Sequence, residues 1–180
     1  MSLWLSLIVV AAVALAAGWL TRRYLAVRGA RLVQCPENRQ AAAVRVQPAR
    51  VALGGDWRLS NCSRWPEKRD CGQECLAQIE RAPEDCLVRT IVSRWYAEKD
   101  CAVCGKPLGE VDWYDRKPAA MDETGRARPW SDIAPETLPQ VLASHRPVCF
   151  DCFVAETFRR EHPELVIDNP WRAAEQQTRH

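Results

Sequence analysis

Two Cys-x-x-Cys pairs, Cys101 and Cys104 in "CAVCGKPLGE" and Cys149 and Cys152 in "HRPVCFDCF", stand about forty residues apart in this chain. No other feature limits the fold as strongly. A Cys-x-x-Cys turn points two thiolates at one centre, and two such turns supply the four ligands that tetrahedral zinc takes at about 2.3 Å from sulfur. The pairs therefore predict one closed four-sulfur site that ties the chain near residue 101 to the chain near residue 149. Gly105-Lys106-Pro107 is a tight-turn composition that aims backbone N–H groups at sulfur. The second pair opens a predicted helix, whose N-terminal dipole stabilises thiolate charge. A closed four-sulfur set favours zinc over iron.

Five further cysteines, Cys35, Cys62, Cys71, Cys75 and Cys86, lie upstream. In "NCSRWPEKRDCGQECLAQ" a short helix from Cys71 to about Glu80, with Asp70 as N-cap, would bring Cys71 and Cys75 one turn apart and facing one metal with Cys62. Cys35, in the rigid turn "QCPEN", is the preferred fourth ligand. Cys86 is the alternative ligand, although in an apolar helix it reads first as a small buried hydrophobe. Two zinc ions per chain are expected, with an iron–sulfur cluster as the alternative at this second site. The spacing Cys62-x8-Cys71-x3-Cys75 matches none of the familiar iron–sulfur patterns. A thioredoxin-like dithiol would need a βαβ context, and covalent haem would need His where Gly105 and Phe153 stand.

The compartment follows from the N-terminus. Leu3 to Leu20, "LWLSLIVVAAVALAAGWL", is uncharged over eighteen residues and spans roughly 27 Å as a helix, enough to cross a hydrocarbon core. Trp4 and Trp19 lie near its ends, where indoles favour the lipid–water interface. A cleaved secretory signal is the alternative, but no Lys or Arg precedes the apolar run. Arg22, Arg23, Arg28 and Arg31 follow it, so the positive-inside rule predicts an outside N-terminus and a cytoplasmic remainder. Cysteines in that reducing compartment are metal ligands before they are disulfides. Residues 22–50 hold seven Arg against one Glu, a basic collar suited to anionic lipid, whereas residues 51–180 hold 18 basic and 22 acidic residues. That acidic balance argues against nucleic acid as a partner.

The expected architecture is α+β: a small metal-stapled cytoplasmic module behind a single N-terminal transmembrane helix. Residues 1–21 form the anchor, with 3–20 in lipid. Residues 22–98 form a basic juxtamembrane segment and a Cys-rich subdomain, 99–165 a zinc subdomain and 166–180 a polar tail. A hairpin is predicted around Cys35-Pro36-Glu37-Asn38, and another strand around Gly54-Gly55-Asp56. A helix from Pro83 to about Ala97 buries Leu87, Val88, Ile91, Val92 and Trp95. A short helix begins at Pro139. A last helix runs to His162, before Pro163, with Phe153, Ala155 and Phe158 inward.

The order of a knuckle, a hairpin and a second knuckle opening a helix, over about residues 99–162, resembles the treble-clef class of zinc fingers. That class includes the HNH nucleases, which carry a general-base His in the hairpin. Here "DWYDRKPAA" offers Asp115 and then Arg116, and arginine cannot accept a proton at neutral pH. His145 reads as a surface residue or one bonded to a ligand. A treble-clef nuclease or hydrolase is thus the least favoured function. Three histidines in all, and no nucleophile elbow, phosphate loop or dinucleotide fingerprint, leave no catalytic constellation and no evident small-molecule substrate. The expected role is a membrane-anchored, non-enzymatic docking module or accessory subunit of a membrane protein complex, with an iron–sulfur electron-transfer subunit as the alternative. Trp113, Trp130 and Trp171, in turn-rich segments, are the candidate partner contacts.

Overall fold

The structure, a computed structural model, describes residues 2–68 and 70–165. Helix α1 (Ser2–Val27) carries the uncharged stretch and continues through Arg22 and Arg23. Over Trp4–Val27 it is long and apolar enough to cross a membrane, and none of its apolar window is buried against the rest of the chain. Side chains such as Leu15, 76% exposed, thus stand mostly uncovered. An apolar surface of that extent calls for lipid or another protein. Membrane anchors and secretory signal sequences share these properties. At the end of the apolar stretch the Arg23 guanidinium lies 4.8 Å from the Trp19 ring centroid, a cation–π contact.

The chain divides into two compact units. Among the described residues, the first comprises the chain up to Trp95 together with Ile133–Ala143; the second comprises Tyr96–Asp132 and residues 144–165.

In the first unit, β1 (Arg31–Gln34), β2 (Ala41–Val46) and β3 (Leu59–Cys62) form an antiparallel sheet in that order. The predicted hairpin is present, closed by Cys35 N–H donating to Gln40 O at 2.8 Å. Alternation along the strands turns Val33, Ala42, Val44, Val46, Leu59 and Cys62 inward, where Ile79 of α3 (Leu76–Arg81) covers them. The strand predicted around the Gly54-Gly55-Asp56 turn is β3, after it; ahead of the turn, Pro48–Ala52 forms a short helix, α2, with Pro in its first turn and Val51 and Ala52 buried. Proline suits that place because the first helical N–H groups have no intrahelical acceptor to lose.

Two helix starts differ from expectation. Gln73 has φ +55°, a left-handed conformation that no helix interior tolerates, so α3 begins at Leu76 and not at Cys71. The next helix, α4 (Val88–Ala97), begins five residues after Pro83, because Leu32 N–H bonds Cys86 O at 2.8 Å and Val88 N–H bonds Ala30 O at 3.1 Å. Those bonds pair Leu87 with Arg31 as an isolated antiparallel bridge, leave residues 83–86 as a turn, and compete with the first helical turn. Of the predicted stripe, Leu87 and Val92 are buried, while Val88, Ile91 and Trp95 are half-buried. Trp95 Nε1 donates to Leu142 O at 3.1 Å, on helix α5 (Leu138–Ser144).

Arg31 also departs from expectation. Counted by sequence among the membrane-flanking charges, it is 1% exposed, because β1 alternation points it inward with Val33. Its guanidinium bonds Val27 O and lies 5.5 Å from the Trp57 ring centroid. Burial pushes its pKa below the usual guanidinium value. It is therefore a core cation and is not available to lipid.

The second unit contains β4 (Ala119–Met121), β5 (Ala127–Pro129) and β6 (Arg146–Val148) in the order β5-β4-β6, all antiparallel, followed by α6 (Phe150–Glu161). The helix ends at Glu161 with His162 as its C-cap, one residue short of the predicted end and ahead of Pro163. Its core joins Cys101, Ala119, Met121, Ala127 and Val148, with Leu108 and Phe153 packed against them. Tyr96 is fully buried, its hydroxyl donating to Ala119 O at 2.6 Å and accepting from Trp130 Nε1 at 3.0 Å. Trp130, a predicted partner contact, is thus engaged inside the fold. Of the side of α6 expected inward, Phe153 packs, whereas Ala155 and Phe158 are exposed. Trp171 and the polar tail 166–180 lie outside the described residues.

Candidate metal centre

Cys101 and Cys104 sit on a knuckle in the second unit. The knuckle is held by Cys101 N–H donating to Lys106 O at 2.8 Å and Gly105 N–H donating to Cys101 O at 2.9 Å. Gly105 has φ +69°, so this turn needs a residue that enters the left-handed region without strain. A bond from Ala102 N–H to Pro147 O, 2.8 Å, ties the knuckle to β6. Strand β6 delivers Cys149 to the N-cap of α6, and Cys152 follows in its first turn.

The four thiols converge. All four sulfurs lie within 4.8 Å of one another, and Cys104 Sγ is 3.8 Å from Cys149 Sγ. Four sulfurs at about 2.3 Å from a central ion form a tetrahedron with edges of about 3.8 Å, so this separation is the one a tetrathiolate needs. The cluster is close enough to bind a metal ion, and no disulfide competes for its thiols.

The surroundings suit negative charge at Cys101. Burial pushes the Cys101 thiol up, but N–H groups of Cys149, Cys104 and Val103 outweigh it and bring its pKa down to about 6. One of these bonds is visible as Cys149 N–H to Cys101 Sγ, 3.3 Å. Cys149 Sγ accepts from Cys152 N–H at 3.4 Å, the helix-capping bond of α6. Burial, then the neighbouring thiols, push Cys152 far up, and burial also raises Cys149. Backbone N–H groups thus favour a thiolate at Cys101, while burial opposes charge at Cys149 and Cys152. Cys101 is buried and Cys104 exposed, which leaves one edge of the cluster open to solvent. His145 is apart from the cluster; its Nδ1 lies 2.8 Å from Ser144 Oγ.

The second predicted group lies in the first unit. Cys35, Cys62, Cys71 and Cys75 line one cavity together with Arg64. Among the described residues, the Cys101 cluster is the one whose ligand atoms all close to 4.8 Å; the second group does not reach that separation. Cys86 is placed elsewhere, its thiol against Gln78 O at 3.8 Å. Sequence reasoning gave no role to Arg64, whose Nη1 donates to Cys35 Sγ at 3.0 Å. Its separation of 29 residues from Cys35 left no local signal.

In comparisons with known proteins, no family model, no curated protein and no solved structure matches the chain.

Proposed function

We propose that the chain is a membrane-anchored, non-enzymatic zinc protein whose second unit docks on a partner as an accessory subunit of a membrane complex. The observation that carries this reading is the convergence of Cys101, Cys104, Cys149 and Cys152 at tetrathiolate spacing. A closed four-sulfur set keeps no position open for water or substrate, so it serves structure in preference to catalysis. The order of knuckle, β4–β5 hairpin, second knuckle and α6 supports the treble-clef reading. Anchoring is supported by the uncovered apolar face of α1. With Arg31 withdrawn into the core, Arg22, Arg23 and Arg28 remain beside the span to favour a cytoplasmic C-terminal portion. Docking is supported by apolar side chains exposed on the second unit: Val103 in the knuckle, Tyr114 at 96%, and Val154 and Phe158 one helical turn apart on α6.

Copurification tests this reading. Full-length protein extracted in mild detergent should carry zinc and bring down a membrane protein. The paired substitution Val154→Asp and Phe158→Asp should abolish that association while leaving zinc content and membrane residence unchanged. Association that survives the pair, or a chain found only in the soluble fraction, refutes it.

A further inference from the structure

The first unit gathers four cysteines from three separate stretches of sequence around one cavity of about 90 Å³. Cys35 stands in the turn after β1, where its N–H bonds Gln40 O and its carbonyl accepts from Arg39 N–H, both at 2.8 Å. Cys62 ends β3, opposite Val44, and faces the core. Cys71 and Cys75 lie on the strap that precedes α3. That strap is pinned to β3 by Leu59 N–H donating to Gln73 Oε1 at 3.1 Å, and the left-handed Gln73 turns both cysteines back toward the cavity. A helix through Cys71 is therefore not what unites the pair; the bend at Gly72-Gln73 does so.

One cation at the cavity is placed to offset the charge of an anionic metal centre. Binding one divalent ion to four thiols releases four protons and leaves a centre of charge −2. Arg64 already donates to Cys35 Sγ at 3.0 Å and also lines the cavity. Lys68, on the same wall, pairs with Glu37 at 2.6 Å. Glu37, which also lies 3.7 Å from Arg64, and Glu74 line the cavity too, so Lys68 is taken up by Glu37 and the cation placed to stabilise the dianionic form through a charge-assisted bond to sulfur is Arg64. Cys86 provides the internal contrast. It packs against the same core cluster, yet its thiol points to Gln78 O and it takes no part in the cavity wall. The fold thus sorts four cysteines from the fifth by placement.

We propose that Cys35, Cys62, Cys71 and Cys75 hold a second zinc ion as a tetrathiolate, with Arg64 as the cation that offsets its charge. The strap carrying Cys71 lies outside helix and strand, and it moves inward on binding to bring the sulfurs to about 3.8 Å from one another. This centre uses different residues, in a different unit, from the Cys101 cluster, so either assignment can fail while the other stands.

The test uses the full chain, purified in detergent under reducing conditions without oxygen and titrated with cobalt(II) as the spectroscopic substitute for zinc. Two equivalents should develop tetrathiolate absorption, and the zinc-loaded protein should hold two zinc per chain. Cys62→Ser or Cys75→Ser should reduce the count to one, Cys101→Ser should also leave one, and Cys86→Ser should retain two. Arg64→Gln should keep the count but weaken zinc at this centre by about tenfold, the loss of one charge-assisted bond. A wild-type count of one, or a count that falls with Cys86→Ser, overturns the ligand set. Iron with acid-labile sulfide in the purified protein overturns zinc in favour of a cluster.

Alkylation mapping guards against variants that merely fail to fold. Cys35 and Cys71 are only half-buried, so in zinc-loaded wild-type protein they should resist alkylation until a chelator is added. Rapid labelling of both before chelation overturns the proposal.

Discussion

Removing one ligand from the Cys101 cluster should unfold the second unit. The apolar core there is small: burying Val148 and Met121 contributes about 1.5–3 kcal/mol each, and each buried alanine methyl about 0.8 kcal/mol. A structural zinc contributes about 10–16 kcal/mol of apparent binding free energy to folding, more than that cluster supplies. Cys101→Ser replaces a thiol that is 2% exposed, and Cys104→Ser one that is exposed, so the pair separates ligation from packing. If ligation dominates, both variants lose metal and both unfold the unit; if packing dominates, Cys104→Ser is mild. The readout is near-ultraviolet circular dichroism of full-length protein in detergent, because Tyr96 and Trp130 form a T-shaped pair with ring centroids 6.1 Å apart inside this unit. A Trp130→Phe control isolates that signal. Chelation of wild-type protein should abolish it with the same outcome as Cys101→Ser. A retained signal and an unchanged thermal transition, with metal content verified as nil, would refute the reasoning.

Tyr96→Phe removes the donor to Ala119 O and the acceptor for Trp130 Nε1, and should cost about 2 kcal/mol, measured by urea titration of the zinc-loaded chain. Burial raises the Tyr96 pKa above its ordinary 10.0, so its contribution is complete below that value and is lost as pH rises through the folded one; the variant should show a flatter alkaline limb. Asp122 works in the opposite direction. Thr124 Oγ1 at 2.6 Å and Arg126 N–H at 2.9 Å hold its carboxyl below the ordinary 3.8, so its support of the β4–β5 turn is complete above 3.8 and lost as pH falls through the depressed value. Asp122→Asn should flatten the acid limb of a pH–stability curve, and an unchanged limb would count against that role. For α1, membranes washed at high pH should retain the protein with an intact N-terminus; a soluble chain trimmed after the apolar stretch would identify a cleaved signal.

The Cys101 cluster was legible because its chemistry is written in local spacing: each Cys-x-x-Cys turn presets two sulfurs, and only their meeting needs the fold. The β1–β2 hairpin and the end of α6 were legible for the same reason, through the turn residues at Cys35–Asn38 and the proline at 163. The first turn of α4 was not, because its competitor is the distant backbone of Ala30 and Leu32. Nor could periodicity reveal that Arg31 is a core residue, since alternation assigns it a face without saying which face is covered.

Sequence alone determined the apolar helix and the four sulfurs of the first cluster, since both depend on residue type and short-range spacing. Tertiary structure decided the rest: it separated Cys86 from the four cysteines around the cavity, brought Arg64 to Cys35, and turned Trp130 inward onto Tyr96. The last two outcomes join side chains 29 and 34 residues apart, whose meeting depends on how distant stretches of chain fold together and not on local spacing.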